Sequence, residues 1–165
     1  MHHAPAENGA ALNPKRSSRP PVVIGWREWV TLPDLGKTVV RAKIDTGART
    51  ASLHAFGLET FEQDGSEHAR FAIHPDHRTP GPAVIVEAPV VGWRTVRNPG
   101  GRTEERPIIK TRLTIGRHRV TTELNLTRRD EMGFPMLLGR HTIRRRFLVD
   151  PGRSYLVGTP PETND

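Results

Sequence analysis

The sequence predicts an all-β domain, and three observations carry that expectation. First, Val40, Ala42 and Ile44 alternate with Val39, Arg41, Lys43 and Asp45, the period of a strand that buries one face. Second, Ile108 to Ile115 and Arg119 to Leu126 are two strand-like runs either side of Gly116 and read as a hairpin. Third, residues 69–74, with Phe71 and Ile73, and 83–91, with Val84, Ile85 and Val86, alternate or run apolar over strand-like lengths. A helix is expected at one place, a short one over His141-Thr142-Ile143-Arg144, where the apolar run 134–138 stops at Gly139.

In chain order, residues 1–20 mix Ala, Pro, Asn, Ser and basic residues without periodicity, and a disordered tail is expected there. A single domain should occupy 21–158, with a C-terminal tail over 159–165. Val22 to Gly25 begins the fold, and Trp26 and Trp29 are expected as packing anchors, since large aromatics mostly serve the core. Leu32 to Gly36 is a turn into the Asp45 strand, and Ala48 to Ala55 should leave the Asp45 loop as a second strand. Pro75 to Pro82 reads as a loop. The polar, Gly- and Pro-rich stretch from Val91 to Arg106 reads as a mobile hairpin rather than core, and Val149 to Val157 as a strand that closes the sheet.

Composition narrows the function classes. The chain has 165 residues, enough to bury a core without staples, and its lack of Cys excludes disulfides and thiolate metal sites. No apolar run approaches the roughly 18 residues that span a bilayer, and no apolar segment follows a basic start as in a secretory signal, so a cytoplasmic protein is expected. The net charge of +7, mostly from arginine, favours an acidic partner, either nucleic acid or an acidic peptide, although it also serves solubility. Aromatic residues are few (three Trp, one Tyr, five Phe) and never interleave with basic ones as stacking platforms do, which tilts the expectation toward acidic peptide.

Asp45 is the residue with the most chemical promise. It ends a strand and opens into Thr46-Gly47, where turn amides can hydrogen-bond its carboxylate and Gly47 can take positive φ or admit another chain closely. As a bare Asp-Thr-Gly the motif is more often an ordinary β-turn. A second element changes the balance: about ninety residues on, Phe134-Pro135-Met136-Leu137-Leu138-Gly139-Arg140 is an apolar run ended by Gly-Arg.

The two motifs together resemble the retropepsin-like aspartic peptidases. Gly25-Trp26-Arg27-Glu28-Trp29-Val30, Ala42 to Thr50, Ser52-Leu53-His54-Ala55, Glu104-Glu105-Arg106-Pro107, Leu126 to Asp130 and Phe147-Leu148-Val149-Asp150-Pro151 are similar to the bacterial family long labelled ATP-dependent zinc proteases, over roughly residues 22–158. Members include RimB-like hydrolases that trim α-linked glutamate tails and are linked to RimK-type glutamate ligases. The resemblance implies a closed retropepsin-like barrel in which the second motif threads beside the Asp-Thr-Gly loop. It implies peptide hydrolysis with Asp45, Thr46 and Gly47 as the catalytic loop, and an acidic or glutamylated protein substrate. It also implies a flap over 91–106 that covers the peptide.

Aspartic peptidases use two carboxylates that share one proton, because like charges so close cannot both ionise. Asp34, Asp64, Asp76, Asp130 and Asp150 lack the Thr/Ser-Gly sequel, so the second carboxylate is expected from a two-fold symmetric homodimer. Lys43, two residues before Asp45 and on the same strand face, should favour ionised Asp45. Ordinary retropepsins more often carry a small or acidic residue where this chain has Arg49; its guanidinium either holds a substrate carboxylate or pairs with an acid such as Glu28. His54 either orients substrate or hydrogen-bonds within the core. Arg106 and Arg128 are further candidates for an acidic substrate, with Arg102 beside them; Asp130 is the expected ion-pair partner of Arg128.

Two other classes stand against this reading. In a metal-dependent hydrolase, His54, His68, His74 and His77, with Glu67 and Asp76, would supply ligands. There is no His-Glu-x-x-His, and His74-Pro75-Asp76-His77 is turn-like, so no metal or cofactor is expected. In a nucleic-acid-binding barrel, Asp45 would be a turn residue and affinity would fall with salt.

Overall fold

The computed structural model describes residues 19–75, 82–128 and 133–162. The elements are β1 (Val22–Gly25), β2 (Arg27–Leu32), β3 (Thr38–Ile44), β4 (Ala51–His54), β5 (Phe56–Gln63), β6 (Ser66–Ile73), β7 (Val84–Arg97), β8 (Thr103–Ile115), β9 (His118–Thr127), β10 (Met136–Leu138), α1 (Arg140–Ile143) and β11 (Phe147–Asp150). Six strands close a barrel in the order β2-β3-β10-β4-β9-β8, and the Thr31–Thr114 pairing of β2 with β8 completes the ring. From β8 the sheet continues outward through β7, β6 and β5.

Alternation builds the barrel as the sequence predicts. Val30 and Leu32 on β2, Val40, Ala42 and Ile44 on β3, and Leu113 and Ile115 on β8 turn inward and meet in one apolar core with Leu53, Leu124, Leu126 and Met136. Phe71 and Ile73 of β6 belong to the same core, so the outer sheet curls back over the barrel. Gly116 turns β8 into β9 with φ of +59°, the left-handed region that favours glycine.

Between β3 and β4 lies the short strand β10. It pairs parallel to β3, with Leu138 opposite Ile44, and antiparallel to β4, with Met136 opposite Leu53. Gly139 must be a glycine here, because a Cβ would stand 2.8 Å from the Ala48 carbonyl oxygen.

Several expectations need correction. Residues 56–63, not foreseen as a strand, form β5 and pair with β6 around an Asp64-Gly65 turn whose φ values are 52° and 78°. The hairpin expected over 91–106 is present, made by the facing ends of β7 and β8 with residues 98–102 as its turn. Val149 to Val157 is not a strand: β11 ends at Asp150 and pairs parallel with β1 in a separate two-stranded sheet. The chain after β11 instead lies along β2. Tyr155 stacks on Trp29 at 5.6 Å, Arg27 sits over Tyr155 at 5.0 Å and donates to Ser154 Oγ at 3.0 Å, and the Glu28 carboxylate accepts backbone N–H bonds from Leu156, Val157 and Gly158. Trp26 packs edge-on against Phe134 at 5.9 Å, so both tryptophans anchor packing as expected. The Pro75–Pro82 loop and the N-terminal tail lie almost wholly outside the described residues, as do His77 and Asp130.

Candidate active site

The Asp45 loop is placed by the strand before it and the strand threaded beside it. Asp45 follows β3 directly, and its N–H donates to the Leu138 carbonyl at 2.9 Å, which ties the loop to the end of β10. Within the loop, the N–H groups of Gly47 and Ala48 donate to Asp45 Oδ1 at 2.9 and 3.1 Å. Asp45 is half-buried, while Thr46 and Gly47 are exposed, so the loop forms an open rim of the barrel. Gly47 does not have positive φ. Its value is close approach, since a Cβ there would stand 3.1 Å from Asp45 Oδ1.

On its other side the loop is held from α1. Arg140 Nη1 donates to the carbonyls of Thr46 and Gly47, both at 3.0 Å, and the backbone N–H of Arg140 donates to the Ala48 carbonyl at 2.8 Å. The His141 N–H donates to the Arg49 carbonyl at 3.1 Å. Beside these contacts lies a hollow of about 430 Å³ lined by Thr46, Arg49, Arg140, His141, Ile143 and Arg144. Among the described residues three arginines and no acidic residue line it, which suits an anion. A second hollow of about 320 Å³, lined by Thr50, Ala51, Lys110, Thr121, Thr122, Glu123 and His141, shares His141 with the first. The β7–β8 hairpin reaches the same region, for Arg94 donates to Thr50 Oγ1.

The predicted site residues divide. Asp45, Thr46, Gly47 and Arg49 share one loop, and Arg49 faces the basic hollow. Lys43 is exposed on β3, opposite Arg27 and Leu137, and does not line that hollow. Arg106 pairs with Glu104 at 3.3 Å and stands opposite Arg94 on the hairpin. Arg128 follows β9 and is exposed. His54 is 2 % exposed; its Nδ1 lies 3.2 Å from the Thr127 carbonyl and its ring meets Phe56 edge-on at 4.2 Å, which is the core alternative for this residue. Glu28 is no partner for Arg49, because its carboxylate is buried among backbone amides. Among the described residues no three His, Asp or Glu side chains gather at metal-binding spacing.

Arg94, Arg140, His141 and Arg144 are residues at the site that sequence reasoning gave no role. The Gly139-Arg140 pair was visible as a motif, but its contact with residues 46–48 depends on β10 lying beside β3.

A family model described as the RimB-like, retropepsin-like aspartic endopeptidase RimB matches residues 23–160. The chain belongs to the RimB-like family. Curated relatives of this RimB-like chain carry the name probable alpha-L-glutamate ligase: one from Parasynechococcus marenigrum is 41% identical over 137 residues, and one from Desulfotalea psychrophila 39% over 139. They match 83% and 82% of this chain, but the chain spans only 29% of the length of each relative. Among solved structures, a DUF785 protein of unknown function from Legionella pneumophila superposes with a TM-score of 0.68 at 32% identity, covering 82% of this chain and 97% of that one. The RimB-like assignment and the barrel agree on a retropepsin-like, peptidase-type fold.

Proposed function

We propose that this chain is an aspartic-type peptide hydrolase that cleaves acidic peptides, such as α-linked glutamate tails on a protein C-terminus, with Asp45 activating the water. The observation that carries this reading is the Asp45 carboxylate on an open rim, its Oδ1 held by two loop amides, beside a hollow that gathers Arg49, Arg140 and Arg144. A peptide carboxylate suits those guanidiniums, which bind carboxylates through paired hydrogen bonds. The glutamate ligase names of relatives that contain a similar stretch fit a substrate rich in glutamate, although those names describe proteins more than three times as long as the matched part.

The reaction needs a second carboxylate, and a homodimer that sets two Asp45 loops face to face across a two-fold axis would supply it. The exposure of Thr46 and Gly47 leaves the loop open to such a contact. The pair would share one proton. The ionised member takes a proton from water as the water oxygen bonds to the scissile carbonyl carbon, and the protonated member donates to the carbonyl oxygen. Collapse of the tetrahedral intermediate breaks the C–N bond: the proton taken from water passes to the leaving nitrogen, and an intermediate hydroxyl returns its proton to the second carboxylate as the C=O bond of the product acid forms, which restores the shared proton.

The test is to incubate wild type and Asp45→Asn with a poly-α-glutamate tail and with a neutral peptide, with and without chelator. Wild type should cleave only the acidic tail, indifferent to chelator, and Asp45→Asn should lose at least about 100-fold of that rate. Full activity in Asp45→Asn defeats the proposal; chelator inactivation together with loss in His54→Ala would point to the metal-dependent class instead.

A further inference from the structure

We propose that Arg140 is a positioning residue for Asp45, acting through the peptide groups of the loop between them. The proposal rests on the reading of Asp45 as the working carboxylate, but its geometry stands independently. The peptide group joining Thr46 to Gly47 gives its carbonyl oxygen to Arg140 Nη1 at 3.0 Å and its N–H to Asp45 Oδ1 at 2.9 Å. The next one, joining Gly47 to Ala48, repeats the arrangement: its carbonyl oxygen accepts from the same Nη1 at 3.0 Å, and its N–H donates to the same Oδ1 at 3.1 Å. Two successive peptide groups are therefore held at both ends, by one nitrogen on one side and one carboxylate oxygen on the other.

A trans peptide group is rigid and planar, with its C=O and N–H pointing in opposite directions. Fixing the oxygens therefore fixes the direction of the N–H groups. The guanidinium also polarises each carbonyl, which strengthens the N–H at the other end as a donor, since hydrogen bonds in series reinforce one another. Arginine suits this place because it stays charged at any working pH and is less strongly hydrated than an ammonium. Its own position is set by the bond from its backbone N–H to the Ala48 carbonyl and by Gly139, where any side chain would collide with that same carbonyl. Arg140 thus meets the carbonyls of three consecutive residues, 46, 47 and 48.

The experiment compares wild type with Arg140→Met, Arg140→Lys and Arg144→Met by amide NMR and hydrogen exchange, without substrate, and then measures kcat and KM on the poly-α-glutamate tail. Arg140→Met should move the Gly47 and Ala48 amide protons upfield and speed their exchange at least about tenfold, and kcat should fall about 10- to 100-fold over and above any rise in KM from the binding charge it also removes. Arg140→Lys should recover part of both effects. Arg144→Met removes a charge from the same hollow without touching the loop carbonyls, and should leave both amides as in wild type. Wild-type amides in folded Arg140→Met overturn the proposal, and so does an equal displacement in Arg144→Met, which would make net charge the cause. Should Arg140→Met fail to fold, Arg140→Gln carries the same readout. If wild type cleaves no acidic tail, the functional reading fails while the amide result still decides the role of Arg140.

Discussion

A carboxylate can serve the fold or the chemistry, and Glu28 and Asp45 divide those parts by their surroundings. Glu28 is fully buried and accepts backbone N–H bonds from Gly25, Leu156, Val157 and Gly158. Glu28→Ala would leave those donors buried without acceptors, so urea denaturation should show a loss of at least about 3 kcal/mol; a loss under about 1 kcal/mol would refute this role. Asp45 has two amide donors and an open flank, which leaves it available to react. A third carboxylate, Asp34, lies on the surface, where Arg112 donates to it through two nitrogens, Nε at 2.8 Å, and the hydrogen-bonded guanidinium holds its pKa below the ordinary carboxylate value. Because the folded-state pKa is depressed, the stabilisation is present above the unfolded value near 3.9 and is lost as pH falls through the folded one. Thermal melts should therefore show a small deficit for Asp34→Asn at pH 6 that closes by about pH 2. A deficit that persists undiminished in acid would assign it to something other than this ion pair.

At the scale of elements, β10 and the turn after it decide whether a site exists. A side chain at position 139 meets the backbone carbonyl of Ala48, not a flexible tip, so the β10–α1 corner and the Asp45 loop would have to separate. Gly139→Ala should cost about 1–3 kcal/mol, as overpacking does, and should lower activity more than its stability loss explains. Wild-type melting and activity would show that the corner yields easily. The Asp45 strand, the β8–β9 hairpin and the short helix were legible from alternation, from a turn glycine and from the stop at Gly139. The β5–β6 hairpin was legible too, through Asp64-Gly65, a dipeptide that takes the two positive φ values of a tight hairpin turn. Alternation does not mark its first strand, because Phe56 to Gln63 is mostly exposed and lacks a clear apolar period. The stretch after Asp150 misled for the opposite reason: Tyr155, Leu156 and Val157 have strand-like character, yet pack along β2 and supply amides to Glu28.

For the whole molecule, a shared site has a quantitative signature. If each site needs Asp45 from both subunits, mixing and re-equilibrating wild type with Asp45→Asn should make activity fall as the square of the wild-type fraction. A linear fall, or a monomer by sedimentation at working concentration, would sink the dimer and leave Asp45 in need of another partner. The basic surface gives a second check, because an acidic tail held by guanidiniums should bind more weakly as salt rises. An affinity for the tail that is flat with salt would remove Arg49, Arg140 and Arg144 from its recognition.

The sequence by itself determined the β3 strand and the β8–β9 hairpin, the carboxylate at the end of β3 and the glycine that closes the second motif, because each is written in neighbouring residues through alternation and turn chemistry. It also carried the family resemblance, which rests on short motifs read together. Only the tertiary structure decided which arginines reach the Asp45 loop, that His54 turns into the core, and that Glu28 serves the C-terminal segment. Those outcomes depend on chain segments some seventy to one hundred and thirty residues apart meeting across a closed barrel, and local sequence does not encode contacts of that range.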